Sequence, residues 1–191
     1  MDGLNYSQTY MANIANIAEI LSVDENVECL VKELIDLKPK GRLFIVGVGG
    51  SAANASHMAY DLRKLCQIDA RSLDNLAEVT ARANDEGWAT IFNGFLAGIN
   101  RNDALFVLSV GGGTHNVSRP LVGAIDIAKL AGAKVFGIVG PNGGYTAEHG
   151  DCVIKIPCET NPTPYTEAFQ AVLWHLIVSH PKLQSVPTKW V

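Results

Sequence analysis

Four short apolar runs constrain the fold of this chain more than any other feature of its sequence. They cover residues 43–46, 104–108, 135–139 and 152–156, and patterns typical of helices lie between them. The runs do not alternate cleanly between apolar and polar residues, which indicates strands buried on both faces. Helices between such strands form right-handed crossovers in a parallel sheet. We therefore predict a three-layer, doubly wound α/β fold, with residues 70–73 as a candidate for a further short strand.

The remaining segments are predicted to be mainly helical. Helices are expected over residues 51–67, 89–100, 116–131 and 165–179, with a short turn after Gly144. Apolar stripes predict two more helices before the first strand, one running from Leu4 to Leu21 and one following Asp24 as its N-cap. We interpret residues 1–191 as a single domain in which residues 1–40 form a helical extension.

Composition and charge argue against several classes of protein. Hydrophobic residues make up 48% of the 191 residues and charged residues 18%, which is typical of a globular chain. No apolar run approaches the roughly 20 residues that span a bilayer. A net charge of −4 without a basic stripe disfavours nucleic-acid binding. The chain lacks a signal-peptide pattern and its four cysteines are scattered, so we expect a cytoplasmic protein with reduced thiols.

Glycine-rich segments follow three of the predicted strands. They are GVGGS at 47–51, SVGGGT at 109–114 and GPNGG at 140–144. Ligands of parallel sheets bind outside the carboxyl ends of the strands, where glycines let backbone amides approach an anion and helix N-termini favour negative charge. We predict a phosphate-type site here, with the hydroxyls of Ser51, Ser109 and Thr114 as further donors. The first loop lacks the third glycine of the dinucleotide fingerprint, and no Gly-Lys-Ser/Thr follows any loop, which excludes a P-loop.

Two pairs of ionisable residues lie on the helices that flank these loops. His57 and Asp61 are four residues apart, so their Cβ atoms share a helix face about 6 Å apart. Glu167 and His175 are eight residues apart on the last helix and can face the same side. Each pair also has a simpler interpretation. His57 and Asp61 could form a solvated surface pair, and His175 could be a core residue of its apolar stretch.

The segment GVGGSAANASHMAYDL at 47–62 resembles the phosphoheptose isomerases of the SIS-domain family. The similarity continues through ANDEG at 83–87, the two later glycine-rich loops and the last helix, and it covers nearly the whole chain. It implies an SIS fold with five parallel strands and a homotetramer whose active sites are shared between subunits, with residues 1–40 in the oligomer contacts. It also implies a zinc ion and the isomerisation of sedoheptulose 7-phosphate to D-glycero-D-manno-heptose 7-phosphate, which feeds the heptose of bacterial surface polysaccharides.

The resemblance assigns roles to residues of this sequence. The implied metal ligands are His57, Asp61, Glu167 and His175, and the implied catalytic residues are Asp61 and His175. We add Glu167 to the catalytic candidates, because either Asp61 or Glu167 could act as the base. The implied substrate or phosphate contacts are Gly49, Gly50, Ser51, Asp85, Ser109, Gly112, Gly113 and Thr114.

The sequence departs from the family pattern at five positions. Asp61 stands where the family has glutamate, and Glu167 where it usually has glutamine. Val48, Val110 and Gly111 replace an asparagine, a threonine and a serine, and the last two changes remove hydroxyl donors from the second loop. These departures leave two alternatives open, an isomerase for another phosphosugar and a non-catalytic SIS module that acts as a regulator or adaptor.

Overall fold

All five strands lie in one parallel sheet, in the order β2-β1-β3-β4-β5. The structure is a computed structural model that describes residues 5–189. The strands are β1 (Arg42–Gly47), β2 (Asp69–Ser72), β3 (Ala104–Ser109), β4 (Lys134–Val139) and β5 (Cys152–Lys155). The helices are α1 (Tyr6–Leu21), α2 (Glu25–Leu37), α3 (Gly50–Cys66), α4 (Leu76–Asp85), α5 (Arg119–Leu130), α6 (Gly144–His149) and α7 (Pro162–Val178). The predicted doubly wound fold with five parallel strands is confirmed.

Helices cover both faces of the sheet and produce two apolar cores. One core contains residues of α1, α2, α3 and α7, including Leu30 and Leu34 of α2, which are 0% exposed. The other core lies under α5 and the segment before β3. The two N-terminal helices therefore pack on the same face of the sheet as α3 and α7. Leu4, which we placed on the first apolar stripe, lies outside the described residues, and the extent of the single domain stays a prediction.

Local signals set where the first two helices begin. Asn5 and Gln8 form a reciprocal capping box at the start of α1. Asp24 accepts a hydrogen bond from the backbone of Asn26 at the start of α2, as its predicted N-cap role requires. Among residues 5–189, no helix combines the length and the apolarity that crossing a bilayer needs.

The prediction of a helix over residues 89–100 is wrong. The chain forms α4 earlier, then a 3-10 turn at Trp88–Thr90 and a series of turns. Gly98 has a φ of +75°, which is incompatible with a regular helix through this residue. The turns nevertheless bury Ile91, Phe92 and Leu96, as one face of a helix would. The start of α4 did have a signal in the sequence, because the Asn75 side chain caps it by accepting from two backbone amides.

Candidate active site

The strand order places the exits of β1 and β3 at the point where the chain reverses its direction across the sheet. The chain moves from β1 to one edge, returns to β3 beside β1, and then continues to the other edge. Crevices at such switch points are the usual ligand sites of open α/β sheets. Gly49 is the N-cap of α3, which starts just after β1, and a glycine has no side chain that could cap the helix. The first-turn amides of α3, at Gly50 and Ser51, have no acceptor within the helix and can bind an anion.

The second and third glycine-rich loops are bonded to each other. The carbonyl of Gly112 accepts from the Thr146 amide at 2.9 Å and from its hydroxyl at 2.6 Å. The carbonyl of Gly113 accepts from the Tyr145 amide at 2.9 Å. A Cβ atom at residue 112 would lie 1.8 Å from the carbonyl oxygen of Gly143, so only glycine allows this approach. The start of α6 thereby fixes the loop after β3, a role of Thr146 that the sequence analysis missed.

The three predicted phosphate hydroxyls are all engaged in local structure. Ser51 is 1% exposed, and its Oγ accepts from Gln170 on α7 at 3.1 Å. Ser109 is 4% exposed, and its Oγ accepts from the Gly112 amide at 3.0 Å. Thr114 is exposed, and its Oγ1 accepts from the Val117 amide at 2.9 Å. These hydroxyls shape the loops, and their contact with a phosphate stays a prediction.

A cluster of titratable side chains forms where α3 lies beside α7. His57 Nε2 is 3.4 Å from Asp61 Oδ2, which places this pair on one helix face as the spacing predicts. His175 Nε2 approaches the same oxygen from α7 at 3.7 Å. The side chain of Asp61 is 12% exposed, whereas the side chains of both histidines are 55% exposed. His175 is therefore not a core residue, and the cluster opens to the surface through its two histidines.

Neighbouring groups fix the orientation of this cluster. Nδ1 of His175 lies 2.7 Å from the carbonyl oxygen of Ala171, which can only accept, so Nδ1 carries the hydrogen. In the neutral ring, Nε2 then has a free lone pair directed at the cluster. The indole Nε1 of Trp174 donates to Asp61 Oδ2 at 3.2 Å. No pattern in the sequence indicates this contact, because Trp174 fits equally well into the apolar stretch around it.

The three side chains fit a zinc ion in chemistry and spacing. One donor atom from each of His57, Asp61 and His175 lies within 4.8 Å of the other two. Two ligands of a tetrahedral zinc, each about 2.1 Å from the metal, lie about 3.4 Å apart, close to the measured 3.4 Å and 3.7 Å. Two imidazoles and a carboxylate with an open fourth position are the donor set of many catalytic zinc sites.

Comparison with known proteins shows the family of this chain. Residues 9–140 match the family described as the SIS domain. A phosphoheptose isomerase of Nitratiruptor is 31% identical over 150 residues, which cover 75% of this chain and 77% of the relative. A phosphoheptose isomerase of Rhodospirillum rubrum is 32% identical over 148 residues, 74% of this chain and 76% of the relative. The chain belongs to the phosphoheptose isomerase family of SIS-domain proteins. The proteins of this family are isomerases.

A solved structure of a phosphoheptose isomerase from Francisella tularensis has the same fold. It superposes with a TM-score of 0.80 at 20% identity and covers 93% of this chain and 97% of the solved chain. Because the identity is low, this similarity concerns the arrangement of the sheet and helices. It agrees with the five-stranded sheet and the N-terminal helices described above.

In this member of the phosphoheptose isomerase family, Glu167 lies apart from the other three proposed metal ligands. Its carboxylate lies against Gly50, where a Cβ atom would be 2.3 Å from Glu167 Oε2. The donor group found in the described residues contains His57, Asp61 and His175 but not Glu167. The predicted role of Glu167 as a fourth ligand therefore stays a prediction. Its position instead brings a carboxylate to the first turn of α3.

Two further polar residues hold the start of α7 against α3. The side-chain amide of Asn54 donates to Gln170 Oε1 at 2.9 Å and to the Glu167 carbonyl at 3.0 Å. Gln170 is 0% exposed and bonds in turn to Ser51. This network sets the position of Glu167 on the first turn of α3, and the sequence analysis assigned no role to Asn54. Asp85 is the exposed last residue of α4, and its role at the substrate stays a prediction.

Proposed function

We propose that this protein is an aldose–ketose isomerase of phosphorylated sugars that converts sedoheptulose 7-phosphate to D-glycero-D-manno-heptose 7-phosphate. The observation that carries the proposal is the His57–Asp61–His175 cluster on the helices that flank the anion-binding loops. The substrate class, a phosphorylated heptose, comes from the names of the relatives of this chain, which are phosphoheptose isomerases. We also retain from the family resemblance a cytoplasmic homotetramer with residues 1–40 in the subunit contacts. The exposed apolar side chains of Met11 on α1 and of Val172 and Leu176 beside His175 support such contacts.

The distance along α3 fits a long sugar phosphate. His57 comes seven residues after Gly50, about 10 Å further along the helix axis at 1.5 Å per residue. An extended chain of six or seven carbons, with bonds of about 1.5 Å, spans a similar length, whereas a three-carbon chain does not. A phosphate bound by the first-turn amides of α3 would place the carbonyl end of a heptose beside His57. The phosphate would then supply binding energy that orients the reacting carbons.

The reaction requires a base, a proton carrier and stabilisation of an oxyanion. A proton leaves the carbon next to the carbonyl, an ene-diolate forms, and the proton returns to the neighbouring carbon. Asp61 and Glu167 are the two candidates for the base. Asp61 lies beside His57, where the carbonyl end of the sugar is proposed to bind. The Glu167 carboxylate has no side-chain hydrogen bond within residues 5–189, but it lies against Gly50, about two helical turns from His57. The identity of the base therefore stays open between these two carboxylates, and we assign proton transfer to the second carbon or oxygen to His175.

Zinc fits the remaining part of the site. His57, Asp61 and His175 would hold the ion, and when bound it would polarise the sugar carbonyl as a Lewis acid. The resemblance also makes Glu167 a ligand, but one carboxylate cannot bind a metal and accept a proton at the same moment. The shorter Asp61 and the acidic Glu167 are consistent with a paired change, in which one carboxylate is shortened and a neutral amide becomes acidic.

A second candidate function is isomerisation of a different phosphosugar. Val110 and Gly111 at the exit of β3 lack the hydroxyls that the family resemblance places there, so contacts to the substrate differ from the family pattern. An adaptor without catalysis is less consistent with the structure, because a binding platform has no need of an oriented imidazole and carboxylate cluster.

Proton NMR in D₂O can test the proposed reaction with the zinc-supplemented protein. We expect sedoheptulose 7-phosphate to give the aldose product with incorporation of solvent deuterium, because the proton passes through an exchangeable protein group. Ketose phosphates of five and six carbons serve as comparisons. Faster turnover of one of these would support the second candidate, and no interconversion of any sugar would exclude an isomerase.

Replacing Glu167 with glutamine tests the assignment of the base. If Glu167 is the base, we expect kcat to fall about 10²-fold or more with little change in KM, because glutamine cannot accept the proton. Glu148→Gln, the same change at an exposed position of α6, should behave like the parent. Steady-state kinetics on both variants are sufficient, and parent-level kcat in Glu167→Gln would assign the base to Asp61.

Gly50→Ala provides an independent test without altering the carboxylate itself. The added Cβ would lie 2.3 Å from Glu167 Oε2, so the flexible carboxylate must move away from the first turn of α3. If Glu167 is the base, we expect kcat to fall while the melting temperature stays nearly unchanged. Gly123→Ala on α5 is the matched control, since its Cβ would meet neighbouring atoms only at 3.6 Å and beyond.

A further inference from the structure

Among residues 5–189, the indole of Trp174 is the group that hydrogen-bonds to the Asp61 carboxylate, and it cannot itself bind a metal. The indole N–H can only donate, and it reaches Oδ2 at 3.2 Å. His57 and His175 face the same oxygen at 3.4 Å and 3.7 Å. In the described part of the chain no hydrogen bond reaches Oδ1 of Asp61. The tryptophan therefore acts on the oxygen that lies between the two imidazoles.

The Trp174 ring also contacts both histidines of the cluster. It packs edge-on against His57 with the ring centroids 5.0 Å apart, and it lies 4.7 Å from the ring of His175. Trp174 is 2% exposed and has only two side-chain torsions, so the surrounding core holds it in one position. A single rigid side chain thus touches every member of the proposed metal site.

We propose that Trp174 is a positioning residue that orients Asp61 for metal binding. This inference rests on the proposed zinc site. A carboxylate oxygen has two lone pairs, and the indole N–H occupies one of them. The carboxylate is nearly buried, so without this donor it would lose a partner and gain freedom to rotate away from the imidazoles. Hydrogen bonds to ligating carboxylates commonly contribute 10- to 100-fold to metal affinity.

Zinc titration of the metal-free protein tests this role. Affinity is measured by competition with a chromophoric chelator, which does not depend on catalysis. We expect Trp174→Phe, which keeps an aromatic ring but lacks the N–H, to bind zinc about 10- to 100-fold more weakly than the parent. Trp88→Phe, at a half-exposed tryptophan of the 3-10 turn, should match the parent.

A double-mutant comparison separates positioning from a general effect on packing. In an Asp61→Ala background the indole has no carboxylate to orient, so Trp174→Phe should change zinc affinity less than about twofold. Melting temperatures without metal show whether the variants stay folded. If Trp174→Phe does not fold, β-(3-benzothienyl)alanine at position 174 preserves the ring shape without the N–H and should give the same loss of affinity.

The outcomes distinguish this inference from the proposed function. If the parent binds zinc and the folded variant without the N–H binds it equally tightly, the role of Trp174 is overturned and the metal site is retained. An equal loss in the Asp61→Ala background would show that Trp174 acts through packing and would also overturn the role. A parent protein that binds no zinc would overturn both the metal site and the inference.

Discussion

Replacement of His175 with alanine is expected to lower kcat/KM by about 10³-fold while the protein stays folded. The side chain carries a proton in the proposed reaction, and general acid–base groups contribute about 10²- to 10⁴-fold to rate. It also provides one of the three clustered donor atoms for zinc. Its side chain is 55% exposed, so removing it should cost little stability. Steady-state kinetics at saturating zinc, together with thermal unfolding, measure both effects.

His180→Ala is the matched control for this variant. His180 follows the same helix and pairs with Glu28 at 3.3 Å, away from the Asp61 cluster. We expect parent kinetics from His180→Ala and an unchanged oligomeric mass in both variants. Activity of His175→Ala within threefold of the parent would contradict the assignment of His175 to the reaction.

Replacement of Asp103 with alanine is expected to destabilise the fold by about 3 kcal/mol, the typical cost of removing one partner of a buried ion pair. Asp103 is 3% exposed and accepts from the Arg42 amide at 2.8 Å and from the Arg42 guanidinium at 2.6 Å. It also accepts from the amide and the side chain of Asn100 at 3.0 Å and 2.8 Å. These bonds tie the start of β1 to the turn before β3, and alanine would leave several buried donors unpaired.

The melting temperature should fall by about 6–12 °C in this variant. Asp103 precedes β3, at the opposite end of the sheet from the strand exits, so kcat at 25 °C should not change. Asp69→Ala removes an exposed carboxylate that pairs with Arg71 at 2.7 Å at the same end of the sheet and should cost less than about 1 kcal/mol. Equal losses in the two variants would contradict the importance of the buried Asp103.

The same carboxylate predicts a dependence of stability on pH. Burial alone would raise the pKa of Asp103, but the hydrogen bonds from Arg42 and Asn100 outweigh it and the pKa lies below its ordinary value. A lowered pKa in the folded state stabilises the protein above the unfolded value of about 4, and this stabilisation is lost as pH falls through the folded pKa. Urea unfolding should therefore show the difference between parent and Asp103→Ala narrowing below about pH 4. A constant difference would exclude this linkage.

The sheet could be predicted because its signals are local. Each buried strand produces its own apolar run, and each glycine-rich loop follows directly after one. The pairing of His57 with Asp61 depends only on the 3.6-residue period of one helix. The prediction of a helix over residues 89–100 was wrong for a related reason. Turns that bury Ile91, Phe92 and Leu96 produce an apolar spacing much like that of a helix, while Asn75 marked the real helix earlier.

The sequence by itself determined the parallel strands, most of the flanking helices, the glycine-rich exits and the face shared by His57 and Asp61, because short-range patterns encode all of these. Only the tertiary structure decided that His175 and Trp174 meet the Asp61 carboxylate, that Glu167 lies against Gly50, and that Ser51 is buried. These contacts join α3 to α7, which are far apart in the chain. Their geometry depends on how two helices pack over one sheet face, and no local pattern specifies that.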